Sequence, residues 1–233
     1  RIEIDGEVAR DRPVLLVANH TSWLDIPVLS AVAPVSFVAK KEVGGWPFVS
    51  SLARLQRSVF VDRARRTAVG EAAGEILARL AQGDAIVLFA EGTSSDGNRV
   101  LPFRSALVGA ASEVLGKLGS TQHVVVQPLS ICYTRLQGLP MGRQHRHLVA
   151  WYGDLDFVPH LREFIARGAV DVVVTFGEPV GHGATANRKE LARSMEGTVR
   201  RLTAATLRGR RPLAEVAGQA LPAPAVPFSA ENR

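Results

Sequence analysis

Short apolar runs that alternate with helical patterns constrain the fold of this chain more than any other feature. Between two such runs, the apolar residues from Val69 to Leu80 recur at helical spacing, and Gly83 follows as a stop signal. A helix that joins two buried strands is typical of a parallel sheet. The sequence therefore predicts an α/β fold with a mostly parallel, roughly seven-stranded sheet flanked by helices. The predicted strands are residues 13–18, 35–40, 58–61, 85–90, 123–131, 147–152 and 170–176.

The end of the chain differs from the rest in composition. Residues 187–207 have the spacing of a last helix, whereas from Gly209 onward proline and alanine dominate without any periodicity. We expect one domain over residues 1–208 and a loose tail over residues 209–233. Because the sequence starts at Arg1 and enters a strand-like run at once, we also expect that a preceding segment is missing.

Charge and cysteine content narrow the possible partners. The 233 residues carry a net charge of +6, which suits nucleic acid, an anionic membrane surface or an acidic protein. Aromatic residues make up only 6% of the chain and do not interleave with the basic clusters at 62–66 and 208–211, so we do not expect nucleic-acid binding. The single cysteine, Cys132, excludes an internal disulfide framework.

The stretch "NHTSWLD", residues 19–25, follows the first predicted strand and holds His20 and Asp25. On one regular helix, five residues turn about 140°, so the two side chains would point apart. They can meet only if the helix begins between them, and Ser22 with Asp25 has the spacing of a capping box. Two interpretations remain open: Asp25 caps the helix, or it orients His20 as a general base.

A second polar stretch, "FAEGTSSDGNRVLPFRSAL", covers residues 89–107. It leaves a predicted strand, passes through a polar loop and enters a helix near Phe103, so its amides, hydroxyls and arginines can surround a polar head group. The alternative is a surface loop stabilised by the turn at Asp96-Gly97.

Together these stretches resemble the glycerolipid acyltransferases, the family that includes lysophosphatidate acyltransferase. "NHTSWLD" matches the family's His-four-residues-Asp motif, and "FAEGT" matches its Phe-Pro-Glu-Gly-Thr-Arg block. "SVFVDR" at 58–63 is similar to its Gly-x-Phe-Ile-x-Arg block, and "VVQPLSI" at 125–131 is similar to its proline-containing block. The four blocks occur in the family's order between residues 13 and 131.

The resemblance implies a glycerolipid acyltransferase-like fold and acyl transfer from a thioester to an acceptor hydroxyl. His20 would take the hydroxyl proton and Asp25 would orient His20, without an acyl-enzyme, a metal or a cofactor. The donor would be acyl carrier protein or coenzyme A carrying the acyl chain. The resemblance assigns acceptor binding to Arg63, Glu91, Gly92 and Thr93, with Arg104 and Lys40 or Lys41 as further basic neighbours.

One departure from the family pattern bears on the acceptor. Ser94 stands where the family commonly has arginine after Glu-Gly-Thr, and that arginine suits a phosphate group. With the segment at 142–161, this resembles the branch that acts in ornithine-lipid synthesis, whose lysolipid acceptor has no phosphate. We therefore expect O-acylation of lyso-ornithine lipid, with formation of phosphatidic acid from 1-acylglycerol-3-phosphate as the alternative. We expect the enzyme at a membrane lipid surface, on the cytoplasmic face of the bacterial inner membrane, held peripherally or by the missing N-terminal segment.

Two other enzyme classes have weaker support. Asp154 and Asp156 have the Asp-x-Asp spacing with which glycosyltransferases bind a metal, but the same residues suit a turn and the cap of a helix near 157–167. A serine hydrolase would require a Gly-x-Ser-x-Gly elbow, which the chain lacks.

Overall fold

The computed structural model describes residues 1–10, 12–40, 59–61, 78–79, 82–116, 125–181 and 187–210. Nine strands in these ranges form one sheet: β1 Ile2–Asp5, β2 Val14–Ala18, β3 Val35–Lys40, β4 Val59–Val61, β5 Ala85–Phe89, β6 Val125–Leu136, β7 Leu139–Pro140, β8 Val170–Phe176 and β9 Val180–Gly181. The helices are α1 Asp25–Val32, α2 Ser105–Gly116, α3 Phe157–Arg167 and α4 Arg188–Leu207, with a short 3₁₀ helix at Arg146–Leu148.

The sheet is parallel in its centre and mixed at one side. The strand order is β1-β8-β6-β2-β5-β3-β4, and β7 and β9 pair with β6. Strands β6, β2, β5, β3 and β4 run parallel to one another, while β8 runs antiparallel to β6 and parallel to β1. The predicted α/β class with a mostly parallel sheet is confirmed.

Both faces of the central strand β2 are buried, because its residues alternate between two apolar cores. Leu15 and Val17 pack on one face with α4 and Val108 of α2. Leu16 and Ala18 pack on the other face, where α1 contributes Leu29. A strand buried on both faces reads as a continuous apolar run, which is why "VLLVA" was recognisable in the sequence.

One predicted strand is wrong. Residues 147–152 do not join the sheet: the 3₁₀ helix occupies Arg146–Leu148, and the rest is a loop. Val149 and Ala150 are nevertheless buried, and the backbone N–H of Trp151 donates to the carbonyl of Thr21. Burial of Val149 in the core on the α1 side of the sheet therefore explains this apolar run without strand pairing.

Most of the other predicted elements are confirmed, and the remaining ones lie outside the described residues. The other predicted strands are present within a few residues of their expected bounds, and α3 and α4 lie where helices were expected. Strand β1 and the two-residue strands β7 and β9 were not predicted. The predicted crossover helix ending at Leu80 and the tail from residue 211 lie largely or wholly outside the described residues. No helix in the described ranges is long and apolar enough to cross a lipid bilayer.

Candidate active site

The site lies where two neighbouring parallel strands end. β2 and β5 run side by side with Ala18 opposite Phe89, so the loops that follow them leave the same edge of the sheet. His20 is in the first loop and Glu91 in the second. The backbone N–H of His20 donates to Oε1 of Glu91 over 3.2 Å, which joins the two loops directly.

His20 and Asp25 form a hydrogen-bonded pair. The distance from His20 Nδ1 to Asp25 Oδ2 is 2.8 Å; the Asp25 side chain is fully buried, and 19% of the His20 side chain is exposed. Because a carboxylate only accepts hydrogen bonds, Nδ1 carries a proton, and in the neutral imidazole Nε2 therefore keeps its lone pair. A neutral imidazole held in this way can take a proton from a hydroxyl group at Nε2.

The helix between these residues starts later than the sequence predicted. α1 begins at Asp25, Leu24 is its N-cap without a side-chain hydrogen bond, and the Ser22 hydroxyl has no partner among the described residues. Asp25 Oδ2 accepts the backbone N–H groups of Thr21 at 2.7 Å and Ser22 at 3.1 Å. Only the acidic half of the capping box is therefore formed, because the carboxylate folds back over the loop and meets His20.

Two further residues complete this pair: Tyr133, which no sequence motif marked, and Phe89, the first residue of the "FAEGT" block, to which the sequence assigned no role. The Tyr133 hydroxyl, on β6, donates to Asp25 Oδ1 over 2.7 Å. The Phe89 ring stacks on His20, with ring centroids 4.1 Å apart and an interplanar angle of 20°. Both contacts join residues far apart in the chain, and no spacing rule relates such positions.

Glu91 is buried beside the pair, with 1% of its surface exposed. Burial raises the pKa of Glu91 from 4.5 to about 8, although backbone N–H groups of His20 and Leu101 act in the opposite direction. At neutral pH the carboxylic acid is therefore mostly protonated and adds little negative charge next to His20.

The predicted residues Gly92, Thr93 and Arg104 gather beside Glu91. Gly92 has a φ of +72°, and a Cβ atom there would lie 3.4 Å from Cγ of Arg104, so the arginine stem crosses directly over the glycine. The Arg104 backbone N–H donates to the Ala90 carbonyl over 2.8 Å. Thr93 and Arg104 are exposed, which leaves a hydroxyl and a guanidinium available at the rim of the site.

Ser94 faces a neighbouring loop. Its hydroxyl donates to the Trp151 carbonyl over 2.5 Å, and the Trp151 backbone N–H donates to the Thr21 carbonyl over 2.9 Å. Ser94 thus links the "FAEGT" loop to the segment that supports the His20 loop. Its expected influence on the choice of head group stays a prediction.

Three other predicted site residues lie partly or wholly outside the part of the chain that the structure describes. Lys40 is the last residue of β3, opposite Val61, and its side chain lies outside the described part. Arg63 and Lys41 also lie outside the described residues.

A buried histidine supports the outer side of the His20 loop. The indole N–H of Trp23 donates to His160 Nδ1 at 3.1 Å, so the His160 Nε2–H donates to the Ala150 carbonyl at 3.0 Å. Burial lowers the pKa of His160, which favours this neutral form. No sequence motif surrounds His160, so its role was not predicted.

The Asp-x-Asp pair is not part of a larger cluster of metal ligands. Asp154 and Asp156 are exposed, and Asp156 occupies the N-cap position of α3. Among the residues that the structure describes, no group of three or more histidine, cysteine or acidic side chains is arranged to hold a metal ion.

Comparison with known proteins identifies the family of this chain. The family model described as Acyltransferase matches residues 1–132, which include both loops of the site. The chain belongs to the acyltransferase family. The predicted family is thus confirmed, and residues 1–132 of this acyltransferase hold His20, Asp25 and Glu91.

Two relatives resemble this acyltransferase over most of its length. The lyso-ornithine lipid O-acyltransferase of Brucella abortus (strain 2308) is 54% identical over 210 residues, which are 90% of this chain and 78% of that protein. The protein of the same name from Rhizobium meliloti (strain 1021) is 48% identical over 225 residues, which are 97% of this chain and 76% of that protein.

Similarity to acyltransferases that are named for a different acceptor is lower. The solved 1-acyl-sn-glycerophosphate acyltransferase of Thermotoga maritima matches this fold with a TM-score of 0.58 at 28% identity, covering 90% of this chain and 73% of that one. The 1-acyl-sn-glycerol-3-phosphate acyltransferase of Neisseria gonorrhoeae is 35% identical over 122 residues, which are 50% of this chain and 48% of that protein.

Proposed function

We propose that this acyltransferase moves a fatty acyl chain from a thioester to the hydroxyl of lyso-ornithine lipid in membrane lipid synthesis. The observation that carries the reaction type is the 2.8 Å pair between His20 Nδ1 and Asp25 Oδ2, which leaves Nε2 as a base. The choice of acceptor rests on the two relatives that match most of this chain, since both are named lyso-ornithine lipid O-acyltransferase.

The proposed reaction is a direct transfer. His20 Nε2 takes the proton of the acceptor hydroxyl as the hydroxyl oxygen attacks the thioester carbonyl. The carbon–sulfur bond breaks as the ester bond forms, and the departing thiolate receives the proton from the imidazolium. Asp25 holds the imidazole in one tautomer throughout and favours its protonated form, and no acyl-enzyme forms.

The residues around His20 can bind the acceptor and limit the negative charge near the reacting groups. Gly92, Thr93 and Arg104 form the rim at which the polar part of the lysolipid would bind. The protonated Glu91 keeps negative charge low beside His20. Lys40 and Arg63 are further proposed acceptor contacts.

We further propose that the enzyme works at the cytoplasmic face of the bacterial inner membrane, with acyl carrier protein or coenzyme A as the thioester carrier. The net charge of +6 supports attraction to anionic lipid head groups and to either acidic carrier.

The proposal is tested by a matrix of two acceptors and two donors. Lyso-ornithine lipid and 1-acylglycerol-3-phosphate are each assayed in mixed micelles with acyl-carrier-protein and coenzyme A thioesters, and labelled products are separated. We expect transfer to lyso-ornithine lipid, and loss of at least about 10²-fold in kcat for His20→Ala, the lower bound for a positioned base. Asp25→Asn should lower kcat strongly as well, since the amide can hold the wrong tautomer.

The same matrix distinguishes the second candidate function. Acylation of 1-acylglycerol-3-phosphate is supported by the Thermotoga maritima match over 90% of this chain. Transfer to this acceptor alone would replace the proposed acceptor. Wild-type turnover by His20→Ala would refute the proposed mechanism for either acceptor.

A further inference from the structure

The Asp25 carboxylate receives a hydrogen bond on each oxygen, from opposite sides. Oδ2 faces His20 Nδ1 and two loop amides, whereas Oδ1 accepts the hydroxyl of Tyr133 over 2.7 Å. Tyr133 lies on β6, 6% of its surface is exposed, and the strand is held in the sheet by β2 and β8. The tyrosine thus fixes the carboxylate from a rigid element, while the other donors belong to the loop.

The phenol remains a donor throughout the working pH range. Burial and the neighbouring charge of Asp25 raise the pKa of Tyr133 well above its usual value, so the hydroxyl keeps its proton. A hydrogen bond to a charged group is stronger than one between neutral groups, and it draws negative charge toward the donor.

We propose that Tyr133 is a positioning residue for the acyl-transfer reaction, which holds the Asp25 carboxylate in the orientation that His20 requires and moderates its negative charge. This inference rests on the proposed function. A carboxylate without the Tyr133 donor would attract the imidazolium more strongly. His20 would then release its proton less readily, and more alkaline conditions would be needed to keep it in the base form.

The other titratable groups near the pair are two acids, one histidine and two arginines. Glu91, from the loop after β5, has a pKa of about 8. Cys132, beside Tyr133 on β6, has a pKa raised by burial to about 11. From α3, His160 contacts the His20 loop through Trp23, and its pKa is lowered. Arg146 interacts electrostatically with Cys132, and Arg200 interacts electrostatically with Glu91.

The first test compares Tyr133→Phe with the wild-type enzyme. Its kcat should fall about tenfold, the loss that one hydrogen bond to a charged group represents, while KM for lyso-ornithine lipid changes less than about twofold. The pH of half-maximal kcat on the acid side should rise by about half a unit or more.

Ser130→Ala is the matched control. Ser130 is also buried on β6, but its hydroxyl faces the opposite side of the sheet and lies 2.8 Å from the Thr203 hydroxyl of α4. The control removes a buried hydroxyl group and its hydrogen bond without changing the surroundings of Asp25. The stability of Ser130→Ala should fall, while the acid limb of its pH profile, the rise of kcat on the acid side, should match that of the wild-type enzyme.

A second variant strengthens the hydrogen bond instead of removing it. The chain has only two tyrosines, so biosynthetic incorporation of 3,5-difluorotyrosine into a Tyr152→Phe background labels position 133 alone. Tyr152 is exposed, and the fluorinated phenol is a stronger acid and a better donor. The acid limb should then move to lower pH, opposite to its movement in Tyr133→Phe.

The outcomes separate this inference from the proposed function. An unshifted acid limb in the fluorinated enzyme, or a Tyr133→Phe profile equal to that of Ser130→Ala, would overturn the role of Tyr133. If His20→Ala abolishes transfer in the same experiment, the proposed function stands even when the Tyr133 inference fails. Opposite shifts in the two Tyr133 variants would support the inference.

Discussion

At the scale of single residues, the site depends on how buried carboxyl groups are compensated. Asp25 is fully buried and accepts hydrogen bonds from His20, Thr21, Ser22 and Tyr133. A buried carboxylate without such donors would be strongly destabilising. Burial of Glu91 nearby raises its pKa to about 8, and the backbone N–H groups of His20 and Leu101 offset the rise only in part. The two neighbouring acidic residues thus differ in the number of hydrogen-bond donors around them.

The raised pKa of Glu91 predicts how stability depends on pH. Between pH 4.5 and about 8, folded Glu91 keeps a proton that the unfolded chain has released, so the free energy of unfolding falls as pH rises through this window. Glu91→Gln removes this dependence. We subtract the free energy of unfolding of the wild-type protein from that of Glu91→Gln at each pH. This difference should be larger at pH 8 than at pH 5 by on the order of 3 kcal/mol, as measured by urea unfolding.

Glu178→Gln provides the comparison for this measurement, because Glu178 is exposed. Its stability should follow the wild-type dependence on pH. Parallel curves for Glu91→Gln and the wild-type protein would show that burial does not hold the proton on Glu91.

At the scale of elements, the His20 loop is attached to three different parts of the fold. The Asn19 side chain pairs with both backbone polar groups of Ile131 on β6, each over 2.9 Å. Thr21 is bonded to Trp151, and Trp23 is bonded to His160 of α3. These attachments position His20 on a loop that would otherwise have only its strand and helix ends to hold it.

Asn19→Ala should destabilise the protein by roughly 2–4 kcal/mol, because it leaves the buried N–H and C=O of Ile131 without partners. It should also lower kcat, since Asn19 directly precedes His20. Asn98→Ala is the control: Asn98 is only partly buried and bonds mainly to Asp96 two residues away. Chemical unfolding of the two variants measures the difference, and equal losses would contradict a special role for the Asn19 pair.

At the scale of the whole molecule, the net charge supports the proposed approach to an anionic lipid surface. The chain carries +6, and Thr93 and Arg104 are exposed at the rim of the site. Attraction between exposed charges weakens as salt shortens the screening length from about 10 Å at 0.1 M to about 3 Å at 1 M.

We therefore expect binding to vesicles that contain anionic lipid to fall severalfold when salt rises from about 0.1 M to about 1 M. Sedimentation with vesicles measures the bound fraction, and purely zwitterionic vesicles provide the control. Binding that is equally strong at both salt concentrations would instead indicate attachment through apolar contacts.

The sequence by itself determined the α/β class, most strands, α3 and α4. Apolar runs and helical periodicity are local properties that survive in almost any tertiary context. The sequence also predicted that His20 and Asp25 can meet, since the seven residues 19–25 encode a loop followed by the start of a helix. The run at 147–152 was misjudged because a buried loop and a buried strand can have the same apolar composition.

Only the tertiary structure decided how the pair is completed. Tyr133, Phe89 and the partner of Asn19 come from strands distant in the chain, and strand order, which no local pattern encodes, brings β6 and β5 to either side of β2. The same is true of Glu91: its motif marked it as a site residue, but the surrounding burial determines that it holds a proton. Residue types were readable from the sequence, whereas their protonation and orientation depend on neighbours that folding supplies.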